Sequence, residues 1–251
     1  MDQAPAIVLL HGFTNSGASW APVVSGLGER YRALTPDIRG HAGASHLRPV
    51  TLDAVISDLS ALAPPSFALA GYSQGGRIAL HAALALAGRV SALVLIGASP
   101  GIADARERAE RRAADERLAS RIEQLSIERF AQEWARTPVL SGAPAEVQAA
   151  AHADRLRSTP AGLAAALRGL GTGALPSLWE RLSELTMPVT LISGERDLKF
   201  TELAQRMAAV IPQARVVVVP GAGHAVHLEA PQAVVRELER VIPADQSLTQ
   251  A

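Results

Sequence analysis

Gly71-Tyr72-Ser73-Gln74-Gly75 stands between a short apolar run, residues 67–70, and an alanine-rich stretch, residues 76–84. The first is too short for a helix and the second has helical period, so the pair predicts strand, tight turn, helix. A G-x-S-x-G in that setting is a nucleophile elbow. Glycines at 71, 75 and 76 remove the side chains that would hold strand and helix apart. Ser73 at the tip then sits in a strained conformation with its hydroxyl lifted clear of the sheet edge. It also lies at a helix N-terminus, where free N–H groups favour negative charge. The alternative is a glycine-rich turn with a solvated serine, and the flanking segments weigh against it.

The rest of the chain supplies a sheet for that elbow. Residues 6–10, 32–37, 92–96, 188–193 and 216–219 are further short apolar runs, with helical patterns at 20–27, 51–62, 201–210 and 231–241. Strands alternating with helices at this spacing predict an α/β fold with a mostly parallel sheet flanked by helices. Thr51 is placed to cap a helix whose apolar face is Leu52, Val55, Ile56 and Leu59. Pro231 suits the first position of the last helix.

The alternation stops at residue 97. From 102 to 182 no strand is legible, and 103–121, 127–136, 145–157, 161–170 and 178–185 read as helices jointed at Pro138, Pro144, Pro160, Pro176 and 169–173. The expected organisation is one folding unit with a core of residues 1–101 and 184–251 and a helical cap at 102–183. The polar tail after Pro243 is expected to fray.

Composition narrows the chemistry. The 251 residues include no cysteine, which removes disulfides, thiolate catalysis and Cys-based metal sites. A formal net charge of zero gives no reason to expect nucleic acid or an anionic membrane as partner. The start of the chain lacks the basic and apolar segments of a signal peptide, and no apolar run is long enough to insert in a membrane, so the expected location is cytoplasmic. Nothing in the sequence specifies an oligomer.

A serine hydroxyl becomes a useful base or nucleophile only when a histidine accepts its proton and a carboxylate orients that histidine. With the nucleophile on an elbow, the order along the chain is serine, acid, histidine. Asp197 follows the strand at 188–193 and His224 follows the strand at 216–219, in the bent loop Gly221-Ala222-Gly223-His224. Glu195 is the rival acid; Asp197 could instead cap the helix expected from Thr201. His227 is the rival histidine, expected to pack at the start of the final helix. His41 and His46 are expected to shape loops, and His81 and His152 to lie on helix surfaces or in satisfied packing. A developing oxyanion would be met by the N–H of Gln74, next to the serine, and by that of Phe13 in the loop after the first strand. His224, His227 and Glu229 do not make an H-E-x-x-H pattern, so no metal is expected.

His11-Gly12-Phe13, the elbow through Arg77, Gly194-Glu195-Arg196-Asp197 and the His224 loop together resemble the α/β-hydrolase superfamily over nearly the whole chain. One branch is more similar still. The Gly76-Arg77 that ends the elbow, Ser99-Pro100-Gly101 before the Arg-Ala-Glu-Arg run at 108–111, Phe130-Ala131-Gln132-Glu133-Trp134, Leu156-Arg157-Ser158 and Asp197-Leu198-Lys199-Phe200 resemble the 2-succinyl-6-hydroxy-2,4-cyclohexadiene-1-carboxylate (SHCHC) synthases of menaquinone biosynthesis. That resemblance implies a carbon–oxygen lyase without a cofactor. Its triad-activated serine would abstract a proton from a succinyl-enolpyruvyl-hydroxycyclohexene-carboxylate, and pyruvate would be eliminated.

A small-molecule substrate with three carboxylates calls for fixed guanidinium groups. Arg77 lies one turn into the elbow helix. Arg111 and Arg157 are at positions similar to the family's substrate arginines, with Arg106, Arg108 and Arg112 as alternatives to Arg111. Tyr72 and Trp134 are expected to wall the pocket, and Lys199, the lone lysine, falls beside the acid. A solvated helix face is the competing reading for each cap arginine. Two departures from the family pattern are Gln74, where an apolar residue is usual, and Gly40-His41-Ala42-Gly43, where Gly-His-Gly is common. The competing functions are a serine esterase or carbon–carbon hydrolase with the same triad, and a non-catalytic binding protein on the same scaffold.

Overall fold

A computed structural model describes residues 4–137 and 142–242. Pro138, expected as a joint, and the tail after Pro243 lie outside them. Six strands form one parallel sheet: β1 (Ala6–Leu10), β2 (Arg32–Leu34), β3 (Phe67–Tyr72), β4 (Val90–Ile96), β5 (Val189–Gly194) and β6 (Ala214–Val219), in the order β2-β1-β3-β4-β5-β6. Strand β1 shows how the sequence makes this sheet. Its five residues are all buried, with Val8 and Leu10 in the apolar cluster on one face and Ile7 and Leu9 in the cluster on the other. A parallel strand covered on both sides needs that continuous apolar run.

Helices α1 (Ala21–Leu27) and α10 (Pro231–Val241) cover one face, and α2 (Leu52–Leu62) and α3 (Gln74–Ala85) cover the other, with α8 (Leu198–Ala208) between β5 and β6 and the one-turn helix α9 (Val226–Glu229) before α10. Thr51 caps α2, its hydroxyl accepting Ala54 N–H at 3.3 Å. Pro231 is the first residue of α10.

Between β4 and β5 run α4 (Ala105–Glu123), α5 (Ile127–Trp134), α6 (Ala145–Arg155) and α7 (Pro160–Leu170), then a 3₁₀ turn, Trp179–Glu184, where a helix over 178–185 was expected. Asp104, Ser126 and Thr159 each cap a helix through a side-chain oxygen. The inserted helices have their own small core of Ala119, Ile122, Phe130, Leu163 and Leu167. They are tied to the sheet domain by Asp154, which accepts both the backbone N–H (2.8 Å) and the hydroxyl of Ser16, and by Ser158, whose hydroxyl accepts Ala42 N–H at 3.0 Å.

Two of the boundaries that differ from expectation have a plain physical reason. The second strand ends at Leu34, because Pro36 has no N–H for the ladder and Asp37 leaves it to accept Gly17 N–H (2.8 Å) and Gly43 N–H (3.0 Å). Helix α8 starts at Leu198, three residues before Thr201, with Asp197 at its cap position. The registers Leu10↔Gly71, Tyr72↔Ile96, Ile96↔Ile192 and Gly194↔Val219 bring the carboxyl ends of the strands to one edge. The loops after β1, β3, β5 and β6 therefore meet there.

Candidate active site

Ser73 joins β3 to α3 in a backbone conformation, φ 51° and ψ −109°, that L-residues rarely adopt. Such strain costs on the order of 1–3 kcal/mol and needs a frame that leaves no alternative. The frame is visible. A Cβ on Gly71 would lie 2.4 Å from Gly75 O, and one on Gly75 would lie 2.3 Å from Leu10 O. Ser73 N–H donates to Ile96 O at 2.8 Å, and Ser73 O accepts Arg77 N–H at 3.1 Å.

The hydroxyl so presented lies 3.2 Å from His224 Nε2, and His224 Nδ1 lies 2.5 Å from Asp197 Oδ2. With its proton on Nδ1 donated to the carboxylate, the imidazole has Nε2 free to accept the serine proton. Both side chains are nearly buried, His224 at 5% and Asp197 at 9% exposure. Phe200 and Tyr72 flank the imidazole, their ring centroids 4.6 and 5.3 Å from it. Glu195 does something else: its Oε2 accepts Gly221 N–H at 2.9 Å. His227 is fully buried between Trp20 and Tyr72, with no partner on either ring nitrogen, and burial pushes it down to about 3.

The loop after β1 is oriented by His11. Its Nε2 accepts Ile38 N–H at 2.9 Å, so the proton is on Nδ1, which donates to Gly12 O at 2.9 Å. Burial lowers the pKa of this imidazole, keeping it in that neutral form. Gly12 O also accepts Asn15 N–H at 3.1 Å. A trans peptide points its N–H opposite its C=O, so fixing the Gly12 carbonyl aims the Phe13 N–H the other way. Among the described residues, neither Phe13 N–H nor Gln74 N–H meets an acceptor. Both are the N–H groups expected from the sequence to meet an oxyanion.

The cavity over Ser73 is walled by Phe13, Tyr72, Trp134, Ala151, Arg155 and Leu228. Trp134 meets Phe13 edge to face at 5.2 Å. Burial raises the Tyr72 phenol, so it stays protonated. Among the described residues, the arginine that lines this cavity is Arg155. Its Nε donates to Thr14 Oγ1 at 3.2 Å, and its Nη1 is buried with no partner. Burial lowers its pKa from the usual value.

The expected cationic residues are dispersed. Arg157 is 60% exposed, 3.9 Å from Asp154 Oδ1, and lines a neighbouring cavity with Asn15, Ser19 and Leu228. Lys199 is exposed over the Phe200 ring at 5.8 Å. Arg77 is buried, its Nε without a partner; burial, then the charge of Arg111, lowers it to about 10. Arg111 donates to the buried Asp115 at 2.8 Å. Arg77 and Arg111 are therefore electrostatic neighbours, but neither walls the cavity at Ser73.

Arg155 had a readable signal. Val147, Ala151 and Arg155 are spaced by four on α6 and share its cavity-facing side. Gln74 turns its side chain to Leu170 O at 3.4 Å, and Ala42 takes φ 36° where the loop departs from the common Gly-His-Gly. His81, expected at a surface or satisfied, is buried with Nε2 unpartnered, and burial lowers it to about 4. Among the described residues no three His, Asp or Glu side chains are grouped to hold a metal, and no helix is long and apolar enough to cross a membrane.

A model of the "Alpha/beta hydrolase family" matches residues 7–237. The chain is 37% identical over 237 residues to the putative SHCHC synthase of Bacillus subtilis (strain 168), covering 90% of this chain and 86% of that one. It is 35% identical over 246 residues to the SHCHC synthase of Salmonella paratyphi C, covering 95% and 94%. Among solved structures, MenH from S. aureus superposes with a TM-score of 0.89 at 30% identity, over 96% of this chain and 94% of that one. A thermophilic esterase from Thermogutta terrifontis superposes with a TM-score of 0.83 at 26% identity, over 96% and 90%.

Proposed function

The chain belongs to the alpha/beta hydrolase family, and from that premise we propose that it is an SHCHC synthase, a lyase that releases pyruvate from a succinyl-enolpyruvyl-hydroxycyclohexene-carboxylate. The observation that carries the reading is the likeness, over nearly the whole chain, to proteins of that name. It is supported by a hydrogen-bonded Ser73–His224–Asp197 set facing a cavity that also holds the Arg155 guanidinium, whose Nη1 has no partner.

In this mechanism His224 Nε2 takes the Ser73 proton while Asp197 stabilises the imidazolium. The Ser73 alkoxide removes a ring proton. The electron pair left behind forms the new ring double bond, and the carbon–oxygen bond to the enolpyruvyl group breaks. The departing enolate takes the proton held on His224, which restores the neutral imidazole, and becomes pyruvate. Negative charge that builds on the substrate oxygen is met by the Phe13 and Gln74 N–H groups. Arg155 holds a carboxylate, with Tyr72 and Trp134 as walls, and Arg77 and Arg111, which lie outside those walls, add only longer-range positive charge for the polyanion. Arg157 and Lys199 are left out of the contact set. Residues 102–183 act as the cap over this site, and the enzyme works in the cytoplasm.

The second reading is a serine esterase, favoured by the likeness to the Thermogutta enzyme and by the dispersal of the expected arginines. Purified protein given the menaquinone precursor should release pyruvate in step with a rise in diene absorbance, and turn over p-nitrophenyl esters far more slowly. Fast ester hydrolysis without pyruvate release would reverse the ranking.

A further inference from the structure

The loop that carries His224 is braced by a carboxylate with no part in the chemistry above. Glu229 ends α9, and its side chain curls back to the loop it has just left. Its Oε2 accepts Gly223 N–H at 2.8 Å, and its Oε1 accepts Ala225 N–H at 3.2 Å. These are the peptide N–H groups immediately before and after His224. The same carboxylate is 4% exposed and is met by Arg196 Nη2 at 2.6 Å.

Arg196 belongs to the turn that delivers the acid, one residue before Asp197. Its own N–H donates to Ala222 O at 3.0 Å, and its Nη1 donates to Gly142 O, in the insertion, at 2.8 Å. Acid turn and histidine loop are thus joined through backbone, through the Glu229–Arg196 pair and through Glu195, whose carboxylate accepts Gly221 N–H.

A buried carboxylate survives when donors fill its lone pairs and a cation balances its charge. All three donors here lead to the residues that flank the triad. A glutamine of the same shape offers one acceptor oxygen, and its NH₂ would confront one of the two peptide N–H groups. The imidazole must reach Asp197 at 2.5 Å on one side and Ser73 at 3.2 Å on the other. A small rotation of its backbone lengthens the second contact, the one the proton crosses.

We propose that Glu229, with Arg196 as its charge partner, is a positioning residue that sets the pitch of the His224 imidazole between Asp197 and Ser73. The inference rests on the triad assigned under Proposed function. Its test therefore uses a probe that needs no natural substrate: the rate at which Ser73 is labelled by an organophosphonate. Glu229→Gln should lower that rate, and kcat with it, on the order of 10²-fold, as a misplacement of about 1 Å does. KM should stay within about twofold, because the carboxylate does not touch substrate. The loss should exceed any unfolded fraction seen by circular dichroism. Arg196→Met leaves both peptide acceptors in place and should cost several-fold, about a tenth of the Glu229 effect. Folded Glu229→Gln labelled at the unaltered rate overturns the proposal. If Glu229→Gln does not fold, an unaltered labelling rate in Arg196→Met overturns it equally. Failure of the unaltered protein to label would instead sink the triad reading on which the inference rests.

Discussion

The sheet edge and the inserted helices direct their side chains by different means. At the edge, backbone does it. Ser73, Asp197 and His224 each leave a strand whose register is locked to its neighbours, through turns so close that Gly71, Gly75 and Gly194 have no room for a Cβ. In the insertion, packing does it. Helix α4 carries arginines at 106, 108, 111, 112, 117 and 121, and which of them faces inward depends on how α4 lies against α7. A residue at the edge has its direction from its neighbours in sequence; a residue on an inserted helix receives it from helices far along the chain.

The contrast can be broken first at the edge. Ser73→Ala should cost 10⁴-fold or more in pyruvate release, roughly 5 kcal/mol of transition-state stabilisation, with the protein folded. A residual rate above about a hundredth would mean that another group takes the proton. The backbone argument is sharpened by a pair of glycines. A Cβ at Gly194 would meet Gly223 O at 2.1 Å, whereas at Gly142 the nearest atom among the described residues is the flexible end of Arg196 at 3.6 Å. In denaturant titrations, Gly194→Ala should lose about 3 kcal/mol or more and Gly142→Ala less than about 0.5. Equal losses would remove the distinction.

Acid should also act first beneath the edge. His41 and His227 are both pushed down to about 3 by burial, against 6.5 when unfolded. Below pH 6.5 the unfolded chain therefore takes up protons that the folded chain refuses. The stability these groups contribute is complete above 6.5 and falls progressively as pH falls toward 3. Between pH 6.5 and 5 the loss should be about 2 kcal/mol per group, and His227→Phe should flatten the slope. An unchanged slope would mean that His227 protonates in the folded state. In the insertion, Arg155→Met should lower kcat/KM by about 10- to 100-fold, mostly through KM, since it removes a charge-assisted contact. Arg157→Ala should stay within about twofold. The reverse order would return Arg157 to the site.

How much of this was legible in the sequence follows the same division. The strand order could not be read, but the chain order of Ser73, Asp197 and His224, with a strand before each, was enough to bring them together. Phe13 was expected from the sequence as an oxyanion donor, but the imidazole–carbonyl bond that orients its loop was not legible, since Ile38 reaches His11 from 27 residues away. Trp134 was legible as a wall. Arg155 was missed in favour of Arg157: the Leu156-Arg157-Ser158 triplet resembled a family motif, while the four-residue spacing from Ala151 pointed two residues earlier. The end of the second strand was misplaced because the lack of an N–H on Pro36 was not weighed against its apolar surroundings. The bonds of Glu229 to the Gly223 and Ala225 N–H groups were not legible, because contacts to peptide N–H groups leave no pattern in side-chain chemistry.

Strand β4 lies between the strand that delivers Ser73 and the one that delivers Asp197, yet brings no member of the triad itself. The whole helical excursion is strung from its far end. Lengthening or rewriting that excursion leaves the pairings of β3 and β5 with β4 as they are. A lineage could therefore exchange one roof for another, and one substrate for another, while the proton-transfer chain below it went on working unaltered.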